Sequence, residues 1–100
     1  IVYLGEIGGG DEYAVAAYAA RHGAKPVAAL IVGRQAPTGK KMGHAGALIG
    51  SHADSHSAKM KALLEAGVHA TGTVTELVPA VRAALNEIPL LRAKSARAAV

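Results

Sequence analysis

The chain contains no cysteine, tryptophan or phenylalanine, and its aromatic residues are three tyrosines. The absence of cysteine excludes a disulfide scaffold and any zinc site built on thiolates. No apolar run reaches the roughly 20 residues that a transmembrane helix needs, no signal peptide is evident, and we expect no membrane partner. With 51% hydrophobic residues, rich in alanine and valine, the sequence favours thin layers of helix on sheet over an aromatic core.

Acidic residues are outnumbered, and the formal net charge is +4. The basic residues concentrate in the segment 34–41 and in a tail with Arg92, Lys94 and Arg97. Such a balance suits nucleic acid or a phosphate-bearing small molecule. No aromatic residue is interleaved with these basic stretches, so nucleic acid is the less favoured partner. One hundred residues correspond to one small domain.

The first third of the chain has the pattern of a βαβ unit. The apolar runs 1–4 and 26–32 predict two buried strands of a parallel sheet. Between them, Asp11 is expected to be the N-cap of a helix, and Gly23 is expected to end it at the C′ position. Two apolar strands joined by one helix indicate a right-handed parallel crossover.

The second half continues the alternation of helix and strand. A helix is predicted from about Ser57 to Ala66, with Gly67 ending it and a short strand over 68–70. Thr73 and Glu76 match a capping box before a last helix. That helix is expected to turn five apolar residues inward: Leu77, Val78, Val81, Leu85 and Ile88.

The order β-α-β-loop-α-β-α predicts an α/β fold with a parallel sheet and helices on both faces. The domain is expected to span residues 1–88. Residues 89–100 form a basic tail that is expected to be flexible.

Two stretches are candidates for chemistry. The glycine-rich turn 5–10 follows a strand and opens a helix, which suits an anion, although a plain turn fits as well and Asp11 and Glu12 oppose a phosphate there. Glu6 lies at the carboxyl end of a strand, where α/β sheets bind ligands, or is an exposed loop acid. His44 lies among small residues in a second loop, and it is either a reactive group or a cap. If the two loops meet, Glu6 would accept a ring N–H of His44 and make the other nitrogen more nucleophilic.

Other polar residues carry weaker signals. His52 and His56 have the four-residue spacing of helical metal ligands, but no third ligand is evident, and solvated loop residues are the favoured interpretation. Lys40 and Lys41 either attract a phosphate group or form a solvated basic loop. We therefore predict no metal site in this chain.

Four blocks of sequence carry a family resemblance. They are Gly-Glu-Ile-Gly-Gly at 5–9, Lys-Pro-Val at 25–27, Ala-Pro-Thr-Gly-Lys-Lys-Met-Gly-His-Ala-Gly-Ala at 36–47 and Ala-Leu-Leu-Glu-Ala-Gly-Val at 62–68. In this order they resemble the carboxyl-terminal part of the succinyl-CoA synthetase α subunit, a family related to ATP-citrate lyase and malate–CoA ligase. The resemblance implies a flavodoxin-like domain that lacks its first strands here.

The resemblance also implies roles for individual residues. His44 matches the histidine that carries a phosphoryl group between nucleotide and carboxylate, and Glu6 matches the glutamate that pairs with it. The loops that face the phosphate correspond to two glycine-rich groups: Gly8, Gly9 and Gly10, and Gly43, Ala45 and Gly46. The segment 50–57 is richer in histidine and serine than the loop usual in the family.

Substrates and partners follow from the same resemblance. CoA and ATP or GTP with Mg²⁺ would act as substrates bound mainly outside this chain. The partners would be an ATP-grasp β subunit, an upstream CoA-binding domain and a small dicarboxylate, first of all succinate, with citrate and malate open. The location would be the cytoplasm, or the mitochondrial matrix in a eukaryote. An α/β binding or assembly module without turnover is the alternative.

Overall fold

The structure, a computed structural model, describes residues 1–34 and 52–89. In these residues three parallel strands form one sheet in the order β1, β2, β3. Strand β1 spans Val2–Gly5, β2 spans Ala28–Ile31 and β3 spans His69–Thr71. The register pairs Tyr3 with Ala29, and Ala29 with Ala70. The parallel sheet expected from the apolar runs is therefore confirmed.

Three α-helices and two short 3₁₀ turns accompany the strands in the described part of the chain. Helix α1 spans Asp11–Ala19, α2 spans His56–Glu65 and α3 spans Leu77–Leu85. The 3₁₀ turns span His52–Asp54 and Val74–Glu76. Helix and strand alternate as the sequence predicts, and no helix of the described residues is long and apolar enough to cross a bilayer.

The helices lie on both faces of the sheet, as expected. Ala16 of α1 and Leu63 of α2 pack in one buried cluster with Ala29 and Ile31. Alternate residues of a strand point to opposite faces, so Ala28 and Leu30 point away from that cluster. Helix α3 packs against β2 and β3 on this second face. Strand β2 is consequently buried at every residue.

The end of α2 is the local feature that the sequence predicts best. Gly67 has a φ of +88°, as its C′ position requires. Its amide donates to the carbonyl of Leu64, and the amide of Val68 donates to the carbonyl of Leu63. These two bonds form a Schellman motif, and the chain passes directly from it into β3.

Several expectations about local structure are wrong. Strand β1 is not buried on both faces, because α3 covers only β2 and β3, and Leu4 is 68% exposed. Gly10, not Asp11, is the N-cap of α1. Helix α1 ends at Ala19, so Gly23, with a φ of +79°, lies in a separate turn beyond the C′ position.

The start and the inner face of α3 also differ from expectation. The side chain of Thr73 makes no capping hydrogen bond. The amide of Thr73 donates to the hydroxyl oxygen of Thr71 at 3.2 Å rather than to Glu76, whose carboxylate accepts from that same hydroxyl at 3.1 Å. Val78 and Leu85 do not turn inward as expected, since both side chains are more than half exposed. The buried residue of this helix is Ala84.

Candidate functional site

The glycine-rich turn between β1 and α1 lies at the carboxyl edge of the sheet. Gly8 and Gly9 have φ angles of +83° and +65°, which side-chain-bearing residues rarely adopt. A Cβ on Gly5 would lie 2.5 Å from Oε2 of Glu12, so the strand must end in glycine for this carboxylate to approach. The turn therefore wraps closely around the first turn of α1.

A buried ion pair lies beneath this turn. Lys59 Nζ is 2.6 Å from Oε1 of Glu12, and the two side chains are 0% and 5% exposed. Lys59 Nζ also donates to the carbonyl oxygens of Glu6 and Gly8, at 2.7 and 2.6 Å. The ammonium group of Lys59 is thus hydrogen-bonded to two carbonyl oxygens of the turn and ion-paired with Glu12.

The other oxygen of Glu12 binds residues of β1 and the turn. Oε2 accepts from the hydroxyl of Tyr3 at 3.1 Å and from the amide of Glu6 at 3.3 Å. Burial by itself raises the pKa of Glu12. Hydrogen bonds from Lys59 and from backbone amides lower it by a larger amount, so the pKa of this carboxyl lies below its ordinary value. Burial and the Glu12 carboxylate together raise the pKa of Tyr3 to about 12. The ionised Glu12 therefore holds the Tyr3 hydroxyl, the Glu6 amide and the Lys59 ammonium group in place.

The segment after residue 51 returns to the same turn. The amide of Gly8 donates to the carbonyl of Asp54 at 3.0 Å, and the hydroxyl of Tyr13 donates to the carbonyl of Ala53 at 2.7 Å. Arg34 follows β2 at this edge of the sheet. Both described ends of the chain that flank the segment 35–51 thus lie at the carboxyl edge.

An open cleft of about 590 Å³ lies beside the turn. Its acidic side chains are Glu6, Asp11 and Glu12, and its apolar wall comes from Leu4, Leu30 and Val32. Glu6 is half-buried and lines the same cleft. The carboxyl end of β1, the turn and the amino end of α1 therefore share one concave surface, at the edge where open α/β sheets commonly bind ligands.

The structure brings together part of the predicted site. Glu6, Gly8 and Gly9 line the cleft, and Gly10 caps α1 next to them. No carbonyl or side chain among the described residues accepts a hydrogen bond from the amides of Gly9 and Gly10. His44, Gly43, Ala45 and Gly46 lie outside the described residues, as do Lys40 and Lys41, and their roles stay predictions.

The expectation for His56 is wrong. It is not a solvated loop residue but the first residue of α2, 8% exposed, with Nε2 placed 2.7 Å from the carbonyl oxygen of Ile31. Within residues 1–34 and 52–89, no group of three or more histidine, aspartate or glutamate side chains is placed to hold a metal ion.

Sequence reasoning did not single out Lys59, and it named Glu12 only as a negative charge at the start of a helix, so the ion pair was not predicted. A signal was present, because Lys59 lies four residues before the buried Leu63 and Glu12 lies four residues before the buried Ala16. Residues at that spacing share a helix face. A lysine and a glutamate on the inner faces of two packed helices would have predicted the pair.

The chain is thus an α/β domain with an open cleft at the carboxyl edge of a parallel sheet. No protein-family profile matches the chain. Over 86 residues it is 44% identical to subunit alpha 1 of the ADP-forming succinate–CoA ligase of Archaeoglobus fulgidus, covering 86% of this chain and 29% of that relative. Over 90 residues it is 41% identical to the alpha subunit of the Aquifex aeolicus ligase, covering 90% of this chain and 30% of that one.

Solved structures agree with these relatives. ATP citrate lyase from Methanothrix soehngenii, in complex with citrate and coenzyme A, matches 90% of this chain and 15% of its own, with a TM-score of 0.75 and 26% identity. The Methanosaeta concilii ATP citrate lyase, in complex with (3S)-citryl-CoA, has the same TM-score at 27% identity. The chain is thus similar over most of its length to part of the α subunits of succinate–CoA ligases, and it shares its fold with part of ATP citrate lyase. It spans less than a third of the length of these ligase subunits.

Proposed function

We propose that this chain is the phosphohistidine segment of an acid–CoA ligase, with His44 as the phosphoryl carrier and Glu6 as its partner. Homology to succinate–CoA ligase α subunits supports the class of reaction. The observation that carries the role of Glu6 is its place in the cleft, in a turn whose backbone is fixed on both sides of the residue.

Glu6 is suited to hold an imidazole. A carboxylate that accepts one ring N–H fixes the tautomer and makes the other nitrogen available as a nucleophile. It also stabilises the positive charge that the ring gains on phosphorylation. The amides of Gly9 and Gly10, at the amino end of α1, would face the transferred phosphoryl group.

The proposed reaction has three steps. A ring nitrogen of His44 attacks the γ-phosphorus of a nucleoside triphosphate, and a P–N bond forms as the bond to the diphosphate oxygen breaks. A carboxylate oxygen of the acid then displaces the nitrogen from phosphorus and gives an acyl phosphate. The sulfur of CoA, after losing its proton, attacks the acyl carbon, and inorganic phosphate leaves as the thioester forms.

The remaining participants lie outside this chain in the proposal. An ATP-grasp β subunit would supply ATP or GTP with Mg²⁺, and an upstream domain would bind CoA. Succinate is the first candidate acid because the relatives are succinate–CoA ligases, and the citrate complex of the structural relative keeps citrate open. The cytoplasm, or the mitochondrial matrix in a eukaryote, remains the predicted location.

Phosphoryl transfer to His44 tests the proposal. The chain is incubated with the β subunit of a succinate–CoA ligase and γ-labelled ATP or GTP, beside the His44→Asn variant. His22→Asn is the matched control, because His22 is exposed and lies beyond the carboxyl end of α1, whereas the turn lies at its amino end. We expect an acid-labile, base-stable label that His44→Asn loses and His22→Asn keeps. Equal labelling of all three chains would refute His44 as the carrier.

A further inference from the structure

Lys59 is the least expected residue of the described core. Its side chain is completely buried. It forms an ion pair with α1 and donates two hydrogen bonds to the turn that precedes α1. Burying an ion pair is a weak source of stability, since apolar residues of similar volume often serve as well. A role in specifying local geometry therefore explains this lysine better than stability does.

The contacts of the pair converge on one residue of the turn. The carbonyl of Glu6 accepts from Lys59, while the amide of Glu6 donates to Glu12. The peptide groups on both sides of Glu6 are thus tied to a single buried ion pair. The carbonyl of Gly8 also accepts from Lys59, so the next part of the turn is fixed by the same ammonium group.

The pair also neutralises a negative charge at the amino end of α1. Glu12 is in the first turn of this helix, where its negative charge would oppose a bound phosphoryl group. Its carboxylate points inward and lies against Lys59. The positive charge of Lys59 therefore compensates the acid that would otherwise disfavour an anion at the turn.

We propose that Lys59, acting with Glu12, is a positioning residue that holds Glu6 and the turn in the geometry needed for phosphorylation of His44. This inference rests on the proposed function, because it assigns Lys59 a role through Glu6. Lys59 touches no reacting atom; its effect is transmitted by the backbone of residues 6–8.

A chemical phosphorylation assay isolates this role from the partner subunit. Phosphoramidate phosphorylates histidine without an enzyme, and peptide mass spectrometry gives the rate at each histidine. The rate at His44 relative to exposed His22 is measured for the wild-type chain, Glu6→Gln, Lys59→Met and the double variant. Lys61→Met is the matched control, because Lys61 is an exposed residue of the same helix.

The proposal predicts a non-additive pattern. Glu6→Gln and Lys59→Met should each lower the His44 rate by roughly tenfold or more, and the double variant should fall no further than either single variant. Lys61→Met should match the wild type. If Lys59→Met does not fold, the variant that carries both Glu12→Gln and Lys59→Met is used in its place, because it removes both buried charges. It is then compared with Glu6→Gln, alone and combined, in the same way.

Each failure has its own signature. A folded Lys59 variant with an unchanged rate, or losses that multiply in the double variant, would overturn the positioning role while leaving Glu6 in place. An unchanged rate in Glu6→Gln would instead refute the pairing of Glu6 with His44, and the positioning role would fall with it. If phosphoramidate phosphorylates His44 but ATP with the β subunit does not label it, the ligase function is refuted and the positioning role is not.

Discussion

Lys59 Nζ lies 2.6 Å from Oε1 of Glu12 on two packed helices, and both side chains are buried. Replacing Lys59 by methionine would leave the Glu12 carboxylate buried without its cation and two turn carbonyls without their donor. We expect Lys59→Met to lower the free energy of unfolding by about 3–5 kcal/mol, measured by urea denaturation.

The matched control for this loss is Lys61→Met on the exposed side of α2, which should change stability by less than about 0.5 kcal/mol. Glu12→Gln in the Lys59→Met background should recover part of the loss, because it removes the uncompensated charge. Equal stability of the two single lysine variants would contradict the account of the buried pair.

The hydroxyl of Tyr3 supplies a test at alkaline pH. Its pKa is raised to about 12 by burial and by Glu12, whereas an unfolded tyrosine ionises near 10. Below pH 10 both states are protonated and the contribution is fully present; between pH 10 and 12 the unfolded state loses its proton first, so stability falls. The wild type should therefore lose more stability than Tyr3→Phe across this window. Parallel urea-derived pH profiles of the two proteins would refute the raised pKa.

Gly5 tests how closely the carboxylate of Glu12 approaches β1. An added methyl group would lie 2.5 Å from Oε2 of Glu12 and 2.6 Å from the ring of Tyr3. We expect Gly5→Ala to cost about 1–3 kcal/mol in thermal or urea unfolding, because this side-chain cluster must shift. At Gly10 the nearest atom to such a methyl is 3.9 Å away, so Gly10→Ala should cost clearly less. The reverse order would contradict the packing described here.

The sequence allowed the alternation of elements to be predicted, because apolar runs such as 26–32 and the terminating Gly67 are local signals. It did not allow burial on each face to be predicted. The exposure of Leu4 depends on α3 covering two strands and not the third, which is a tertiary relationship. Likewise, the local sequence pattern predicted a capping box for Glu76, but its carboxylate accepts a hydrogen bond from the hydroxyl of Thr71.

The candidate site likewise has one part that the sequence predicted and one part that only the structure reveals. Its residue types came from motifs at 5–9 and 43–47, which is why Glu6 and the glycines could be named from the sequence. The structure adds the buried pair that fixes the turn, which no motif contained, because charged residues in helical patterns are usually read as solvent-facing. Only packing reveals that Lys59 lies between the turn and α1.

The most direct test of phosphoryl transfer through His44 is a chase of the labelled protein. The chain is labelled with γ-³²P ATP and the β subunit, freed of nucleotide, and then mixed with succinate, CoA and the CoA-binding domain of a succinate–CoA ligase α subunit. We predict that the label leaves the protein as inorganic phosphate, with one succinyl-CoA formed per phosphate released. A label that stays on the protein through the chase, or thioester formed without its loss, would contradict His44 as a carrier in the ligase reaction.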